Sequence, residues 1–175
     1  DVGCGGGHLA LEIARRRPRA RVTGVDLSPE QVARAKKRAR TAGVDDRVRF
    51  VQGSALDLPF GCEFDVVTSV ASIKHWPDQA QGLSECVRVL RSGGQLFVFE
   101  ADRGCYLDDA AAFVRQWRLP RMMHVVALGM FRTWVAGQAL DLDDARALLA
   151  PLALESAEVR RIAGTPALAM TARKV

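Results

Sequence analysis

The stretch DVGCGGGHLALEIA, residues 1–14, places one carboxylate and four glycines directly before a predicted helix. Glycine lacks a Cβ and adopts φ values that other residues avoid, so such a loop lets the backbone approach a ligand closely. The helix that follows offers N–H groups that have no intrahelical partners. The pattern is typical of a ligand-binding turn after the first strand of a sheet.

The composition is that of an ordinary globular domain. The 175 residues are 49% hydrophobic and 26% charged, so we expect a single domain over residues 1–175. No apolar run approaches the roughly 20 residues of a membrane span, and the opening residues lack the pattern of a signal peptide. The four cysteines have no metal-site spacing, which predicts no metal and reduced thiols in a cytoplasmic protein.

The chain is basic, with a formal net charge of +5. Its positive residues concentrate in ARRRPRAR (residues 14–21) and ARAKKRAR (residues 33–40), on or beside predicted helices. A solvated helix face with cations near helix C-termini accounts for both clusters, and we favour it over a nucleic-acid patch. Nucleic acid is therefore disfavoured as a partner, although the basic face keeps it as an alternative.

Predicted strands and helices alternate between residues 8 and 102. Hydrophobic periodicity and stop signals predict helices over residues 8–17, 28–43 and 77–94. Runs rich in β-branched residues predict strands over residues 20–27, 46–54, 64–72 and 94–102. This order indicates right-handed crossovers and a parallel, doubly wound sheet, whose ligands bind beyond the carboxyl ends of the strands.

Helix-capping residues refine two of the predicted helices. Ser28 is a good N-cap with Gln31 three residues later, as in a capping box, and Gly43 is a plausible C-terminal stop. A later helix over residues 142–152 is capped by Asp141 or Asp143. Two final strands, joined by a tight glycine-containing turn, are expected to be antiparallel.

Two ligand classes use a glycine loop of this kind: dinucleotides and S-adenosylmethionine. The dinucleotide fingerprint G-x-G-x-x-G, counted from Gly3, requires glycine at position 8, where the chain has His8. Asp1 would repel a pyrophosphate, whereas it would attract the sulfonium and ammonium of S-adenosylmethionine. A nicotinamide-dependent oxidoreductase is therefore disfavoured.

Four segments together identify a family resemblance. They are DVGCGGG (residues 1–7), VTGVDLSPEQVARAKKRA (22–39), VQGSALDLPF with FDVVTSVASIKHWPD (51–60 and 64–78) and CVRVLRSGGQLFVFE (86–100). The chain resembles class I S-adenosylmethionine-dependent methyltransferases, most of all the small-molecule branch of the ubiquinone/menaquinone type (methyltransferase type 11-like). The resemblance implies an α/β, Rossmann-like, doubly wound and mostly parallel sheet with an antiparallel C-terminal strand and a helical lid.

The resemblance also implies roles for individual residues. The expected cofactor-binding residues are Asp1, Gly3, Gly5, Asp26, Leu27, Ser54, Ala55 and Val70. In this scheme Asp26 accepts hydrogen bonds from the ribose hydroxyls, because a carboxylate accepts two donors at once. Val70, or its neighbour Ser69, faces the methionine end. Ser54 departs from the family, which usually has aspartate there.

The large apolar residues of the predicted lid, about residues 104–140, have two interpretations. They line a pocket for an apolar acceptor, or they pack a two-helix lid on the sheet. The residues concerned are Trp117, Met122, Met123, Met130, Phe131 and Trp134.

The family's first strand would end at about Val2, in the middle of the sheet. We therefore expect this strand to be largely missing and the chain to be a fragment. Unpaired edges on both neighbouring strands would weaken folding or cofactor binding relative to a longer chain.

The predicted function is methyl transfer to a small, apolar metabolite by in-line displacement. The chemistry depends chiefly on positioning, so it requires no catalytic residue, and His75 is the candidate general base if one is used. Two alternatives remain: a nucleic-acid methyltransferase, whose typical sequence turns are absent, and a non-catalytic relic. The acceptor and the oligomeric state are not predicted.

Overall fold

A computed structural model describes all 175 residues. The helices are α1 (His8–Arg16), α2 (Pro29–Thr41), α3 (Gln79–Val89), α4 (Leu107–Arg115), α5 (His124–Met130) and α6 (Leu142–Leu149). The strands are β1 (Val22–Asp26), β2 (Val48–Gln52), β3 (Phe64–Val70), β4 (Leu90–Ala101), β5 (Leu154–Arg161) and β6 (Ala167–Lys174). The predicted α/β alternation is confirmed.

The strands form a two-stranded sheet, β1–β2, and a four-stranded sheet in the order β3–β4–β6–β5. The β1–β2 and β3–β4 pairs are parallel, whereas β6 is antiparallel to both β4 and β5. Residues 1–2 lie between the two sheets: the Val2 amide donates to the Thr68 carbonyl at 2.8 Å, and the Val25 amide donates to the Asp1 carbonyl at 2.9 Å. The expected doubly wound sheet and its antiparallel C-terminal strand are confirmed.

Two predicted helix N-caps are confirmed, but two predicted C-terminal ends are wrong, and one of these is that of the helix predicted over residues 142–152, which ends at Leu149. The Ser28 hydroxyl accepts from the Gln31 amide, and Asp141 forms a capping box with Asp144. The helix predicted to reach residue 94 ends at Val89 instead, because Leu90 pairs with Phe64 and so begins β4. The local sequence pattern favours a helix here, but the pairing with β3 is a contact with a distant part of the chain, and it determines the structure of this segment.

Three hydrophobic clusters hold the chain together. The largest packs α3 and α6 against one face of β3, β4 and β6, and the second packs α1 and α2 against β1 and β2. The third lies wholly between Cys105 and Ala136, inside the helical insertion. The first two clusters cover different parts of the two sheets, and the third is separate from both.

Candidate cofactor and active site

An open cleft lies at the carboxyl ends of β1, β2 and β3. Its walls are Gly3, Val25, Asp26, Leu27, Gly53, Ser54, Ala55, Leu56, Ser72, His75, Trp76 and Pro77. Parallel sheets bind ligands at this edge, because the loops that follow successive strands converge there. Six of the predicted site residues meet in the cleft: Gly3, Asp26, Leu27, Ser54, Ala55 and His75.

The Asp26 carboxylate is held in place by two backbone amides. The Gly5 amide donates to Oδ2 at 2.7 Å, and the Ser28 amide donates to Oδ1 at 3.0 Å. A carboxylate has about four acceptor positions, so each oxygen retains capacity for a further donor. The glycine loop and the start of α2 thus orient an acceptor group at the mouth of the cleft.

Gly3 makes the closest approach between the glycine loop and the loop after β3. Its φ is +72°, and a Cβ at this position would lie 1.7 Å from the Ser72 hydroxyl oxygen. Ala71, just before Ser72, also has a positive φ, of 52°, which is uncommon for a residue with a side chain. The two loops therefore fit together only with glycine at position 3.

The loop after β3 is fixed by polar contacts at both of its ends. The Trp76 indole N–H donates to the Ser72 hydroxyl at 3.0 Å. The Lys74 ammonium pairs with Glu100 at 2.8 Å, where the Glu100 side chain is fully buried at the end of β4. Trp76 also packs on Gly82 of α3, where a Cβ would lie 2.3 Å from the ring. These contacts place Trp76 and His75 on the wall of the cleft.

The loop after β2 is attached to α3 by charge-assisted hydrogen bonds. Glu85 accepts from the Leu58 amide at 2.8 Å and pairs with Arg88 at 2.6 Å. Arg88 in turn donates to the carbonyls of Leu58 and Phe60, both at 2.8 Å. The Arg88 guanidinium holds the pKa of the Glu85 carboxyl below its ordinary value, against the opposing effect of burial. The network supports the turn that carries Ser54.

Leu27 and Ser54 both line the cleft, and they differ in how available their side chains are to a ligand. The Leu27 side chain is 70% exposed beside Asp26, although it is a large apolar group. The Ser54 hydroxyl accepts from the Leu56 amide at 3.1 Å, which closes a tight turn. An exposed leucine next to a cleft offers a flat apolar ligand a surface to pack on.

Three predicted site residues do not line the cleft. The Asp1 carboxylate accepts from the Thr68 hydroxyl at 3.3 Å between the two sheets. Gly5 reaches the site through its hydrogen bond to Asp26, and Val70 is 43% exposed outside the cleft. Ser69 is fully buried, and its hydroxyl has no hydrogen-bond partner.

Several cleft residues are not among the individual residues that the sequence assigned to the site. They are Val25, Gly53, Leu56, Ser72, Trp76 and Pro77. Their positions directly after strand ends were a usable signal, because that edge of the sheet was already expected to bind the ligand. The contact between Ser72 and Gly3 joins positions 69 residues apart, so no pattern of neighbouring residues in the sequence predicts it.

Cys4 lies in the glycine loop and is nearly buried. Burial, followed by the nearby Asp26 charge, raises the pKa of its thiol to about 11. A thiol with so high a pKa is not a nucleophile at neutral pH, which supports its interpretation as a packing residue.

The helical insertion contributes no residue to the cleft wall. Phe131 is buried in the insertion's own cluster, and its ring contacts those of Phe113 and Trp117. Met122, Met123, Met130 and Trp134 are instead exposed. The structure contains no helix with the length and apolar character needed to cross a membrane.

Comparison with known proteins agrees with this geometry. Residues 1–98, more than half of the chain, match the family described as "Methyltransferase domain". The chain belongs to this family. Its fold matches a crystal structure of a SAM-dependent methyltransferase from Aquifex aeolicus with a TM-score of 0.72 and 14% identity, over 100% of this chain and 80% of that one. The predicted family, with S-adenosylmethionine as its cofactor, is confirmed.

Curated relatives include two methyltransferases from bacteria. A demethylmenaquinone methyltransferase from Porphyromonas gingivalis is 40% identical over 59% of this chain and 43% of its own length. A 27-O-demethylrifamycin SV methyltransferase from Amycolatopsis mediterranei is 43% identical over 55% of this chain and 35% of its own length. The matches thus span less than half of either relative.

Proposed function

We propose that the chain binds S-adenosylmethionine in the cleft and transfers its methyl group to a small, apolar metabolite. The orientation of Asp26 carries this proposal. Its carboxylate is held by the glycine loop and by the start of α2, and it keeps acceptor capacity toward the cleft. A fixed pair of acceptor oxygens suits a vicinal diol such as a ribose.

The residues of the cleft fit the chemical parts of this cofactor. Exposed Leu27 offers an apolar surface for an adenine ring, and the turn at Ser54 offers polar backbone beside it. Gly3 leaves the backbone bare where the glycine loop faces the loop after β3. We assign the adenine to Leu27, Ser54 and Ala55, the ribose to Asp26, and the methionine end to the glycine loop.

When bound, the cofactor supplies an activated methyl group on a sulfonium. The protein contributes chiefly by positioning, since proximity and alignment account for most of the catalysis of such a displacement. Asp26 and Leu27 hold one end of the cofactor, and the loop over residues 71–77 forms the facing wall. Asp26 and His75 are the two cleft residues whose side chains can accept a proton, and Asp26 is assigned to the ribose, so we assign His75 the role of general base for an acceptor that must lose a proton.

The acceptor class is inferred from the relatives. Their names specify a demethylmenaquinone in one case and a demethylrifamycin in the other. Both names denote small organic molecules, which supports a small metabolite over nucleic acid.

Calorimetric titration tests the cofactor assignment first. We expect saturable binding of S-adenosylhomocysteine and no binding of NADH. Asp26→Asn should weaken S-adenosylhomocysteine binding by roughly tenfold or more, because a hydrogen bond to a charged group contributes about 1.5–3 kcal/mol.

Asp46 is an exposed carboxylate outside the cleft, so Asp46→Asn is the matched control. It should leave the affinity for S-adenosylhomocysteine unchanged. Binding of NADH in place of S-adenosylhomocysteine would overturn the assignment. So would equal affinities for the Asp26 and Asp46 variants.

A further inference from the structure

The helical insertion exposes most of the large apolar side chains on the surface. Eleven of the fifteen exposed large hydrophobic residues lie between Tyr106 and Val135. Val126, Met130 and Trp134 follow one another at four-residue spacing and are 62%, 58% and 72% exposed. Residues at this spacing share one face of a helical segment, so the exposed groups form a continuous stripe rather than isolated side chains.

The same segment carries arginines without acidic partners. From Arg88 to the end of the chain there are eleven arginines, and all outside the insertion form a salt bridge. The four inside it have no carboxylate within salt-bridge distance, and all are exposed; they are Arg115, Arg118, Arg121 and Arg132. Residues 110–140 contain no aspartate or glutamate. The apolar stripe is therefore accompanied by uncompensated positive charge.

The insertion has a hydrophobic cluster of its own, which stabilises its fold. Its inner side packs Ala110, Val114, Ala127 and Phe131 into a separate cluster. At its base the Arg103 amide donates to the Leu140 carbonyl at 2.9 Å, so the two ends meet. The outward side chains are thus displayed by a packed unit.

We propose that this outer surface docks on an anionic lipid bilayer, with Val126, Met130 and Trp134 inserted at the interface and the arginines against the headgroups. Helices with an apolar face, basic residues and an interfacial tryptophan bind membranes in this way without crossing them. Phosphate headgroups would supply the negative partners that these four arginines lack within the chain. The proposal is independent of the proposed methyl transfer.

Binding of nucleic acid or of the cofactor accounts less well for the same surface. The basic helices α1 and α2 are also positively charged, yet they expose no large hydrophobic residue. A phosphate-backbone partner would need the charge but not the exposed valines, methionines and tryptophan. The exposed residues of the insertion also lie outside the cleft, so they are not the wall of the cofactor site.

Vesicle flotation with the 175-residue chain tests the proposal. We expect association with phosphatidylcholine vesicles that contain about one-third phosphatidylglycerol, weaker association with phosphatidylcholine alone, and a loss at high salt. Arg118→Ala/Arg121→Ala should reduce partitioning by roughly tenfold or more. Val126→Ser should reduce it by about fivefold or more.

Each variant has a control outside the insertion. Arg34→Ala/Arg40→Ala removes the same charge from exposed positions of α2, and Val175→Ser alters a valine of similar exposure, 68%. Both should partition like the unaltered chain, and circular dichroism should show all variants folded. Sedimentation velocity tests whether the chain self-associates through Val126. We expect no self-association of the unaltered chain that the Val126→Ser variant lacks.

Failure to float with anionic vesicles would overturn the proposal, as would equal losses in the insertion and control variants. Self-association through Val126 would assign the stripe to contacts between copies of the chain instead. Binding of S-adenosylhomocysteine is measured separately, so failure of the membrane proposal and failure of the cofactor proposal are distinguishable.

Discussion

Gly82 in α3 packs directly against the indole ring of Trp76, which leaves no room for a side chain at position 82. The indole ring occupies the space where a Cβ of residue 82 would lie, and the same ring forms part of the cleft wall. Glycine in a helix interior is destabilising by about 1 kcal/mol relative to alanine, so its presence in α3 requires a compensating contact. The contact with Trp76 provides it.

Gly82→Ala should therefore lower both stability and cofactor affinity. Overpacking of a well-packed site costs about 1–3 kcal/mol, and displacement of Trp76 would move the cleft wall. Gly129→Ala is the matched control, since that helical glycine has no atom near its added Cβ and should be neutral or slightly stabilising. Thermal unfolding and S-adenosylhomocysteine titration measure the two effects. A destabilised Gly129 variant beside an unaffected Gly82 variant would contradict the expectation.

His75→Ala separates catalysis from binding. If His75 removes a proton from a hydroxyl acceptor, its loss should lower kcat by roughly 100-fold or more. S-adenosylhomocysteine affinity should be nearly unchanged, because the proposed cofactor site depends on Asp26 and Leu27 instead. His124→Ala, in the insertion, is the matched histidine control. An unchanged kcat in the His75 variant would mean that positioning alone suffices.

At the scale of elements, α3 supports two of the three loops that form the cleft. It supports the loop after β3 through Gly82, and through Glu85 and Arg88 it supports the loop after β2. The helix is itself packed in the main core, where Leu83 and Cys86 are fully buried. The cleft is thus positioned by a buried helix rather than by its own loops.

The Glu85 network predicts a pH-dependent contribution to stability. The pKa of Glu85 is lowered in the folded chain, so its contribution is present above the unfolded value of about 4.3 and is lost as pH falls through the folded value. Glu85→Gln should destabilise the chain by about 1–3 kcal/mol at neutral pH, and the difference should shrink below about pH 4. Urea unfolding from pH 7 to pH 3 measures it.

Glu155 is an exposed carboxylate of β5, so Glu155→Gln is the control for the urea unfolding measurements. It should show no comparable pH-dependent loss, because an exposed ion pair contributes little. A Glu85 variant that differs from the unaltered chain by the same amount at every pH would show that packing, and not ionisation, is responsible.

At the scale of the molecule, the insertion and the sheet have separate cores and meet at a closed base. Replacement of residues 106–138 by a short Gly-Ser linker should therefore leave S-adenosylhomocysteine affinity unchanged within error, because no cleft residue lies in that segment. The same deletion should abolish vesicle association. Loss of cofactor binding in a chain that is still folded would show that the insertion supports the cleft. The single domain over residues 1–175 stays a prediction.

The sequence by itself determined the order of the elements and the ligand class. Alternating strands and helices, the spacing of glycines before His8, the cap at Ser28 and the acid at Asp26 are all local patterns, and local patterns can be interpreted from neighbouring residues. Only the tertiary structure decided which side chains meet. Gly3 against Ser72 is one such contact, and the end of α3 at Val89 depends on another. These contacts join residues far apart in the chain, so no local pattern encodes them.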